Sequence, residues 1–455
     1  MMNTINDDII VGISTAFAEG AISIVRLSGK GSIELVNKIF KGKDLTKVAS
    51  HTINYGHIID SNNNVIDEVL ISVFKAPKTY TKEDVVEINC HGGMFVTNQI
   101  YELLVLNNAR PATPGEFTKR AFLNGRIDLT KAEAVMDIIE AENLTASRMA
   151  TSALMGSTKE KVDDLRKRLM DIISIISVNI DYPEYDDVEE LTNNQILPKL
   201  KDIYGDIINI LERSKSAKYL KNGVETAIIG KPNVGKSSLL NALLEEQKAI
   251  VTAIPGTTRD TIEAKINLGS VTLNLIDTAG IRNTEDVVEK IGVEKSFEVI
   301  SKAELVLLVL DGSRKIDESD RELLKLVKNK KHLTIVNKSD LKQVIDLNEL
   351  ENPIIISTSS TKDIENLKNE ITKIIGIYDL KNKDITYISN ARQIEKFSKA
   401  KDEIVESLNE IDNNLSIDFI DIHLRAAWLY LGEIIGETST ESLIDELFSR
   451  FCLGK

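Results

Sequence analysis

The stretch Gly230-Lys231-Pro232-Asn233-Val234-Gly235-Lys236-Ser237-Ser238 constrains the fold of this chain more than any other. It follows an apolar run, Thr226 to Ile229, that reads as a buried strand. It leads into Ser238 to Leu244, which opens a helix. A glycine-rich turn in that context lets successive backbone N–H groups face an anion, and the helix that follows adds its positive end. Lys236 can then reach the β- and γ-phosphates of a nucleotide, and Ser237 can offer its hydroxyl to Mg²⁺. A plain strand-to-helix turn has no use for Lys-Ser after its second glycine.

At 455 residues the chain has room for about three domains of roughly 150 residues each. Its hydrophobic (42%) and charged (28%) fractions are those of a globular protein, and few aromatics (5%) suit a helix-rich chain. The net charge of −14 argues against a surface coated for nucleic acid, although a local basic face remains compatible with it. Cys90 and Cys452 are too few and too far apart for a disulfide framework or a zinc site, which suggests a reducing cytoplasm. Residues 1–8 carry no basic segment of a secretory signal, and no apolar run is long enough for a bilayer, so no membrane association is expected.

Residues 8 to about 117 alternate short apolar runs with turn clusters. Strands are expected at Ile9 to Ile13, Ala21 to Leu27, Thr52 to Ile58, Val69 to Phe74 and Val85 to Asn89, with helices at Ser32 to Phe40 and Phe95 to Leu106. Asn62-Asn63-Asn64 reads as a hairpin turn, and Arg26, Glu87 and His91 stand out as polar groups in this α+β domain. From Glu116 the pattern turns helical, with Leu129, Ala132, Met136 and Ile139 forming a stripe that runs into more helix through about Val178. The acidic stretch Asp181 to Glu190 reads as a solvated loop before helix resumes at Leu197 to Leu220. Ala303 to Leu310, His332 to Val336 and Pro353 to Ile356 are strand-length apolar runs among helices, the pattern of a parallel sheet with its ligand at the carboxyl edge. Helix returns after Ile377, where Ile417, Ile420, Leu424, Ala427, Leu431 and Ile434 make a core stripe. The expected fold class is multidomain α+β and α/β, with a Ras-like P-loop domain inserted into a helical domain. The expected boundaries are 1–117, 118–220, 221–377 and 378–455.

Asn337-Lys338-Ser339-Asp340 selects guanine. Asp340 can accept from both the ring N–H and the exocyclic amine of that base, whereas adenine offers no such pair; Asn337 and Lys338 steady the loop. Ser357-Thr358-Ser359 follows the next strand and can close over the base. Asp277-Thr278-Ala279-Gly280 ends a strand at Leu273 to Ile276, where Asp277 can hold Mg²⁺ through water and the Gly280 N–H can sense the γ-phosphate. Thr258 is the expected second protein ligand of Mg²⁺. Ile281 occupies the place where Ras-type GTPases carry a water-orienting glutamine, so either hydrolysis is very slow or another group supplies that function, for which Glu289, otherwise an ordinary exposed glutamate on a charged helix, is one candidate.

Together with Gly256-Thr257-Thr258-Arg259-Asp260, Pro114-Gly115-Glu116-Phe117-Thr118, Arg120-Ala121-Phe122-Leu123-Asn124-Gly125 and the terminal Phe451-Cys452-Leu453-Gly454-Lys455, these motifs closely resemble the MnmE (TrmE) family of tRNA modification GTPases. The resemblance runs essentially end to end, and the terminal Cys-Leu-Gly-Lys is its most specific piece. It implies a homodimer with an N-terminal folate-binding and dimerisation domain, a helical domain and an inserted G domain. It also implies a flavoprotein partner, MnmG, that carries FAD. With that partner an aminomethyl-type (carboxymethylaminomethyl) group is added to C5 of the wobble uridine of certain tRNAs, using a one-carbon unit from 5-formyl- or methylene-tetrahydrofolate. Carried over residue by residue, GTP contacts fall on Asn233, Val234, Gly235, Lys236, Ser237, Ser238, Thr252, Ala253, Ile254, Pro255, Gly256, Thr257, Thr258, Asp277, Thr278, Ala279, Gly280, Asn337, Lys338, Asp340, Ser357, Thr358 and Ser359. K⁺ would be held by Asn233, Thr252, Ile254 and Thr257 in the place of an arginine finger. Glu289 matches the family's catalytic glutamate, and Cys452 offers a thiol near the folate. Folate points to Arg26, Glu87, Lys455 and Arg126, the last standing where some relatives have lysine. The alternatives from other classes are a regulatory GTPase of ribosome assembly, whose basic RNA-binding module or second G domain is not evident, and an unrelated folate-dependent methyl carrier.

Overall fold

The computed structural model describes residues 8–181, 192–245, 264–269, 271–276, 298–375, 388, 390–413, 415–452 and 454. The chain forms two compact units. The first comprises Met1–Met136, Leu154–Met170 and Arg425–Lys455, and the second Asp137–Ala153 and Asp171–Leu424.

The first unit is built on a seven-stranded sheet of β1 (Ile10–Ile13), β2 (Ile22–Ser28), β3 (Phe40–Gly42), β4 (Thr52–Ile59), β5 (Val65–Phe74), β6 (Val85–His91) and β7 (Arg110–Pro111), in the order β3-β4-β5-β6-β2-β1-β7. Its pairs are antiparallel except β1 with β7. Helices α1 (Ser32–Ile39) and α2 (Met94–Leu106) supply Ile33, Val36, Ile39, Ile100 and Leu104 to a core shared with Val25, Leu27, Ile71, Val73 and Ile88. Side chains alternate along a strand, so burying Ser23, Val25 and Leu27 turns Ile22, Ile24 and Arg26 to the opposite face. The hairpin turn is held by Asp60, whose carboxylate accepts from the N–H groups of Asn62 and Asn64 while Asn63 adopts φ 64°.

Helix α3 (Glu116–Leu123) follows a glycine at φ 68°, where an added Cβ would sit 2.6 Å from the Phe448 carbonyl oxygen. Helix α4 (Leu129–Glu140) places Leu129, Ala132 and Met136 against Ile444, Phe448 and Phe451 of the C-terminal segment, which contains α13 (Glu441–Ser449). The stripe expected to continue through Ile139 stops at Met136. Ile139 is 42% exposed, because that apolar cluster reaches only to Met136. Arg120 is 5% exposed and is compensated by Asp8, Glu83 and Glu116, as a buried charge must be.

The second unit contains a six-stranded sheet of β8 (Val224–Ile229), β9 (Ala264–Asn267), β10 (Thr272–Leu275), β11 (Leu305–Asp311), β12 (His332–Asn337) and β13 (Ile354–Ile355), in the order β13-β12-β11-β8-β10-β9. All pairs are parallel except β9 with β10. Every residue of β11 is buried because both faces of the sheet are covered. Leu305, Leu307 and Val309 join Leu239, Leu240 and Leu243 of α8 (Lys236–Glu245) and Ile364, Leu367 and Ile371 of α10 (Thr361–Ile374). Val306, Leu308 and Leu310 face Leu323 and Val327 of α9 (Glu318–Val327). The helical part of this unit includes α5 (Leu144–Met155), whose Met149 enters the sheet's core, and the neighbouring helices α7 (Leu197–Asn222) and α11 (Ala391–Asp412). The remaining long helices are α6 (Ser157–Asp181) and α12 (Ile417–Ile435), and the latter buries all six residues of the stripe from Ile417 to Ile434. No described helix is long and apolar enough to cross a membrane. The architecture is therefore multidomain, α+β in the first unit and α/β with helices in the second.

Candidate functional site: a phosphate loop tied to a base loop

Between β8 and α8 the backbone makes the turn that the glycine spacing requires. Gly230 has φ 151°, and a Cβ there would lie 2.3 Å from the Val309 carbonyl oxygen. Gly235 has φ 98°, and a Cβ there would lie 2.1 Å from Asn337 Nδ2. That contact exists because Asn337, at the end of β12, donates from Nδ2 to the Val234 carbonyl at 2.9 Å. The loop after β12 is thus fastened directly to the loop after β8. Asn337 Oδ1 is buried without a partner among the described residues, an acceptor available to a group brought to this loop.

Lys236 begins α8 with its side chain folded back into the turn, Nζ donating to the carbonyls of Gly230 and Lys231, both at 2.7 Å. Burial pushes its pKa down. A partly desolvated cation held only by neutral carbonyls gains by taking an anionic oxygen in their place. Asn233, exposed at φ 64°, stands on the rim of the turn, Val234 is buried beneath it, and Ser237 and Ser238 lie in the first turn of α8. Lys231 pairs with Asp317, the N-cap of α9.

On the base side Asp340 Oδ1 accepts from Ser357 Oγ at 2.7 Å, and the Ser339 N–H donates to the Ile356 carbonyl at 3.0 Å. The Ser357 N–H is in turn held by Asp363 at 2.9 Å, while Thr358 and Ser359 continue the same turn. Lys338, at φ 66°, reaches Asp311 Oδ2 at 2.7 Å. Burial would push the Asp311 carboxyl up, but hydrogen bonds from Lys338 and Ser313 outweigh it and hold the group below its usual value. No hydrogen bond engages the second carboxylate oxygen of Asp340 among the described residues. Thr252, Ala253, Ile254, Pro255, Gly256, Thr257, Thr258, Asp277, Thr278, Ala279, Gly280, Ile281 and Glu289 lie outside the described residues.

A second constellation lies on the open face of the first unit's sheet. Register places Arg26 on β2 directly opposite Glu87 on β6, and the two pair at 2.8 Å. Arg26 Nη1 also donates to the Gly454 carbonyl at 3.2 Å, and Ser14 Oγ donates to the same oxygen at 3.0 Å. The C-terminal segment therefore meets the strand pair. Cys452 is exposed beside this contact, its carbonyl accepting from the Gly115 N–H at 3.3 Å; Lys455 lies outside the described residues. The Arg26 guanidinium stands 5.7 Å from the centre of the Phe117 ring, Tyr80 packs against the cluster of Ile10, Ala112 and Phe117, and Arg126 lies 4.8 Å over the Tyr80 ring. His91 is engaged elsewhere, with Asp67 at 2.7 Å, and is exposed.

The sequence profile of the MnmE helical domain matches residues 129–452, and that of the GTP-binding protein TrmE N-terminus matches residues 9–126. Two proteins named tRNA modification GTPase MnmE, from Bacillus cytotoxicus and Bacillus mycoides, are each 50% identical to this chain, covering 98% of it and 99% of their own length. The chain belongs to the MnmE (TrmE) family of tRNA modification GTPases. Among solved structures it is similar to the G domain of the T. maritima FeoB iron transporter, at 27% identity and TM-score 0.26, over 33% of this chain and 98% of that one.

As an MnmE-family member the protein is a GTP hydrolase of tRNA modification, and GTPases of this kind hold GTP with Mg²⁺. Several groups of its sites escaped sequence reading. Asp311, Ser14 and Tyr80 belong to no motif, and only Asp311, a carboxylate closing an apolar run before a glycine, had a visible signal; Phe117 stood in a motif that gave no sign of its place beside Arg26.

Proposed function

We propose that this protein is a K⁺-dependent GTPase that works with the flavoprotein MnmG, which carries FAD, to add an aminomethyl-type group to C5 of the wobble uridine of certain tRNAs, drawing a one-carbon unit from tetrahydrofolate. The observation that carries the nucleotide part is the Asn337–Val234 hydrogen bond, because it fastens the base-selecting loop to the phosphate loop at a fixed spacing.

In this reading the backbone of 233–238 cradles the phosphates, Lys236 exchanges its two carbonyl partners for phosphate oxygens, and Ser237 with Thr258 holds Mg²⁺. Asp340 reads guanine with the support of Ser357. Asn233, with Thr252, Ile254 and Thr257, would hold K⁺ beside the β- and γ-phosphates, where a monovalent cation stabilises developing charge as an arginine finger does. Glu289 orients the attacking water that Ile281 cannot. Asp277 and Gly280 report the γ-phosphate.

The open-face constellation fits a folate. A carboxylate held beside a guanidinium, as Glu87 is by Arg26, can accept from a pterin's amine and ring N–H, while Arg126 and Lys455 suit the carboxylates of its tail. Tetrahydrofolate supplies one-carbon chemistry when bound, and Cys452 brings an exposed thiol to the same edge. The segments 1–117, 118–220, 221–377 and 378–455 would then serve as folate-binding and dimerisation domain, helical domain, G domain and the second helical part, in a homodimer.

GTP hydrolysis should be markedly faster in K⁺ than in Na⁺ at equal ionic strength; equal rates would sink the cation assignment. Mass analysis of wobble nucleosides from cells lacking the protein tests the tRNA assignment, and an unchanged nucleoside pattern would refute it.

A further inference from the structure

A second feature of the first unit is a cleft of about 410 Å³ whose lining includes His51, Phe74, Lys78, Tyr80, Lys82 and Arg126. Four of these side chains are cationic or can become so, and no carboxylate lines the cleft. In a chain with a net charge of −14 such a concentration needs a reason. The acids nearest in sequence are turned to other work. Glu83 accepts from Ser28 at 2.7 Å and pairs with Arg120 at 3.2 Å, and Asp84 accepts from the Ala76 N–H at 2.9 Å. Among the described residues the four cations meet only neutral groups. Lys82 donates to the Gly125 carbonyl at 3.2 Å, His51 Nδ1 lies 2.8 Å from Ser50 Oγ, and Arg126 stacks over Tyr80. His51 and Lys82 also hold left-handed backbone, at φ 63° and 61°, which L side chains seldom adopt.

The cleft shares Tyr80 with the apolar cluster that underlies the Arg26–Glu87 pair. Arg26 stands over Phe117, Tyr80 packs against the cluster of Ile10, Ala112 and Phe117, and Arg126 lies over the Tyr80 ring. An RNA backbone is followed by an extended basic stripe. A compact pocket of four cations at the end of an aromatic path suits a short chain of carboxylates instead. We propose that this cleft is an anion subsite taking the γ-linked glutamyl carboxylates of a folate tail, so that the protein prefers polyglutamylated over monoglutamylated folate. The assignment rests on the folate reading of Arg26 and Glu87.

Equilibrium binding of tetrahydrofolate carrying one or three glutamates to the full-length protein tests it. The triglutamate should bind about tenfold tighter at low salt, as expected for two added carboxylates meeting partly exposed cations. The gain should shrink as ionic strength rises. A His51→Gln/Lys78→Gln/Lys82→Gln variant should keep the monoglutamate affinity and lose most of the gain. Its thermal unfolding, followed through the transition of the first unit where all three substitutions lie, reports that it is folded. If it is not, Lys78→Gln alone, whose ammonium has no partner among the described residues, should still remove part of the gain. Equal affinities for the two folates in the unaltered protein overturn the subsite, as does equal weakening of both in the variant. A variant that loses tRNA affinity but keeps the folate gain overturns it in favour of an RNA phosphate site. If the unaltered protein binds neither folate, the folate reading itself fails.

Discussion

The two sheets of this protein present chemistry in different ways. The parallel sheet of the second unit is covered on both faces, so its strand side chains are consumed by packing: along β11 alternate residues enter two different cores. Groups available to a ligand are displaced to the loops at the carboxyl edge, where Lys236, Asn337 and Asp340 stand. The antiparallel sheet of the first unit packs α1 and α2 against one face, while its other face is met only in part, by Phe117 and the C-terminal segment, among the described residues. Its strands can therefore carry polar side chains directly, and Arg26 and Glu87 are neighbours because register makes them so. In one sheet chemistry sits on turns whose shape is set by glycine; in the other it sits on strands whose pairing is set by the core behind them.

The largest effect should come from Leu308→Ala on β11. Leu308 is fully buried between covered faces, and truncating such a leucine costs about 2–5 kcal/mol. Denaturant unfolding of the full chain measures it. Arg26→Ala, on the open face, removes a partly exposed pair and should cost no more than about 1 kcal/mol. A comparable loss at both positions would break the distinction between the sheets.

Lys236→Ala sharpens the other half of the comparison. Nζ contacts only loop carbonyls, so the melting temperature should hardly move, while GTP turnover should fall about 10²- to 10³-fold as a charge-stabilising donor is lost. A large stability loss with turnover preserved would mean that the lysine serves the turn and not the nucleotide. Asp340→Asn should lower GTP affinity by about 1–3 kcal/mol, because an amide cannot accept from both guanine donors. It should improve binding of xanthosine triphosphate, to whose C2 carbonyl the amide can donate. Unchanged preference between the two nucleotides would remove Asp340 from the base site.

What could be read beforehand follows the same division. The phosphate and guanine loops were legible because glycines at 230 and 235 and the Asn-Lys-Ser-Asp order are demanded locally. The fastening of one loop to the other, Asn337 to Val234, joins residues about a hundred positions apart and leaves no local trace. In the first unit Arg26 and Glu87 were visible as polar groups in strands, but their pairing needed the register. Strand β3 was hidden at the end of an apolar run read as helix up to Phe40. It exists because Gly42 and Gly56 lack side chains beside the Phe40 ring, where a Cβ would approach within 2.5 Å and 2.4 Å. Strand β7 carries a proline, tolerated because it lies at the sheet edge. The cationic cleft combines residues from separate turns, none of which forms a motif.

The smallest predicted effect concerns His423, on α12 in the second unit. Nδ1 lies 2.6 Å from Glu403 and Nε2 3.3 Å from Glu410, both on α11. The Glu403 hydrogen bond raises its pKa most; partial burial opposes this, and the charges of Glu410, Glu403 and Glu406 add to the rise. A histidine that binds its proton more tightly folded than unfolded stabilises the fold fully below the unfolded value of about 6.5 and loses that contribution as pH rises through the folded value. His423→Gln should therefore lower the melting temperature of this unit near pH 6 by a degree or a few, in keeping with a pair worth under about 1 kcal/mol. By pH 9 the variant and the unaltered protein should melt together. A deficit of the same size at both pH values would show that the imidazole acts by packing alone, and that the charge between α11 and α12 contributes nothing.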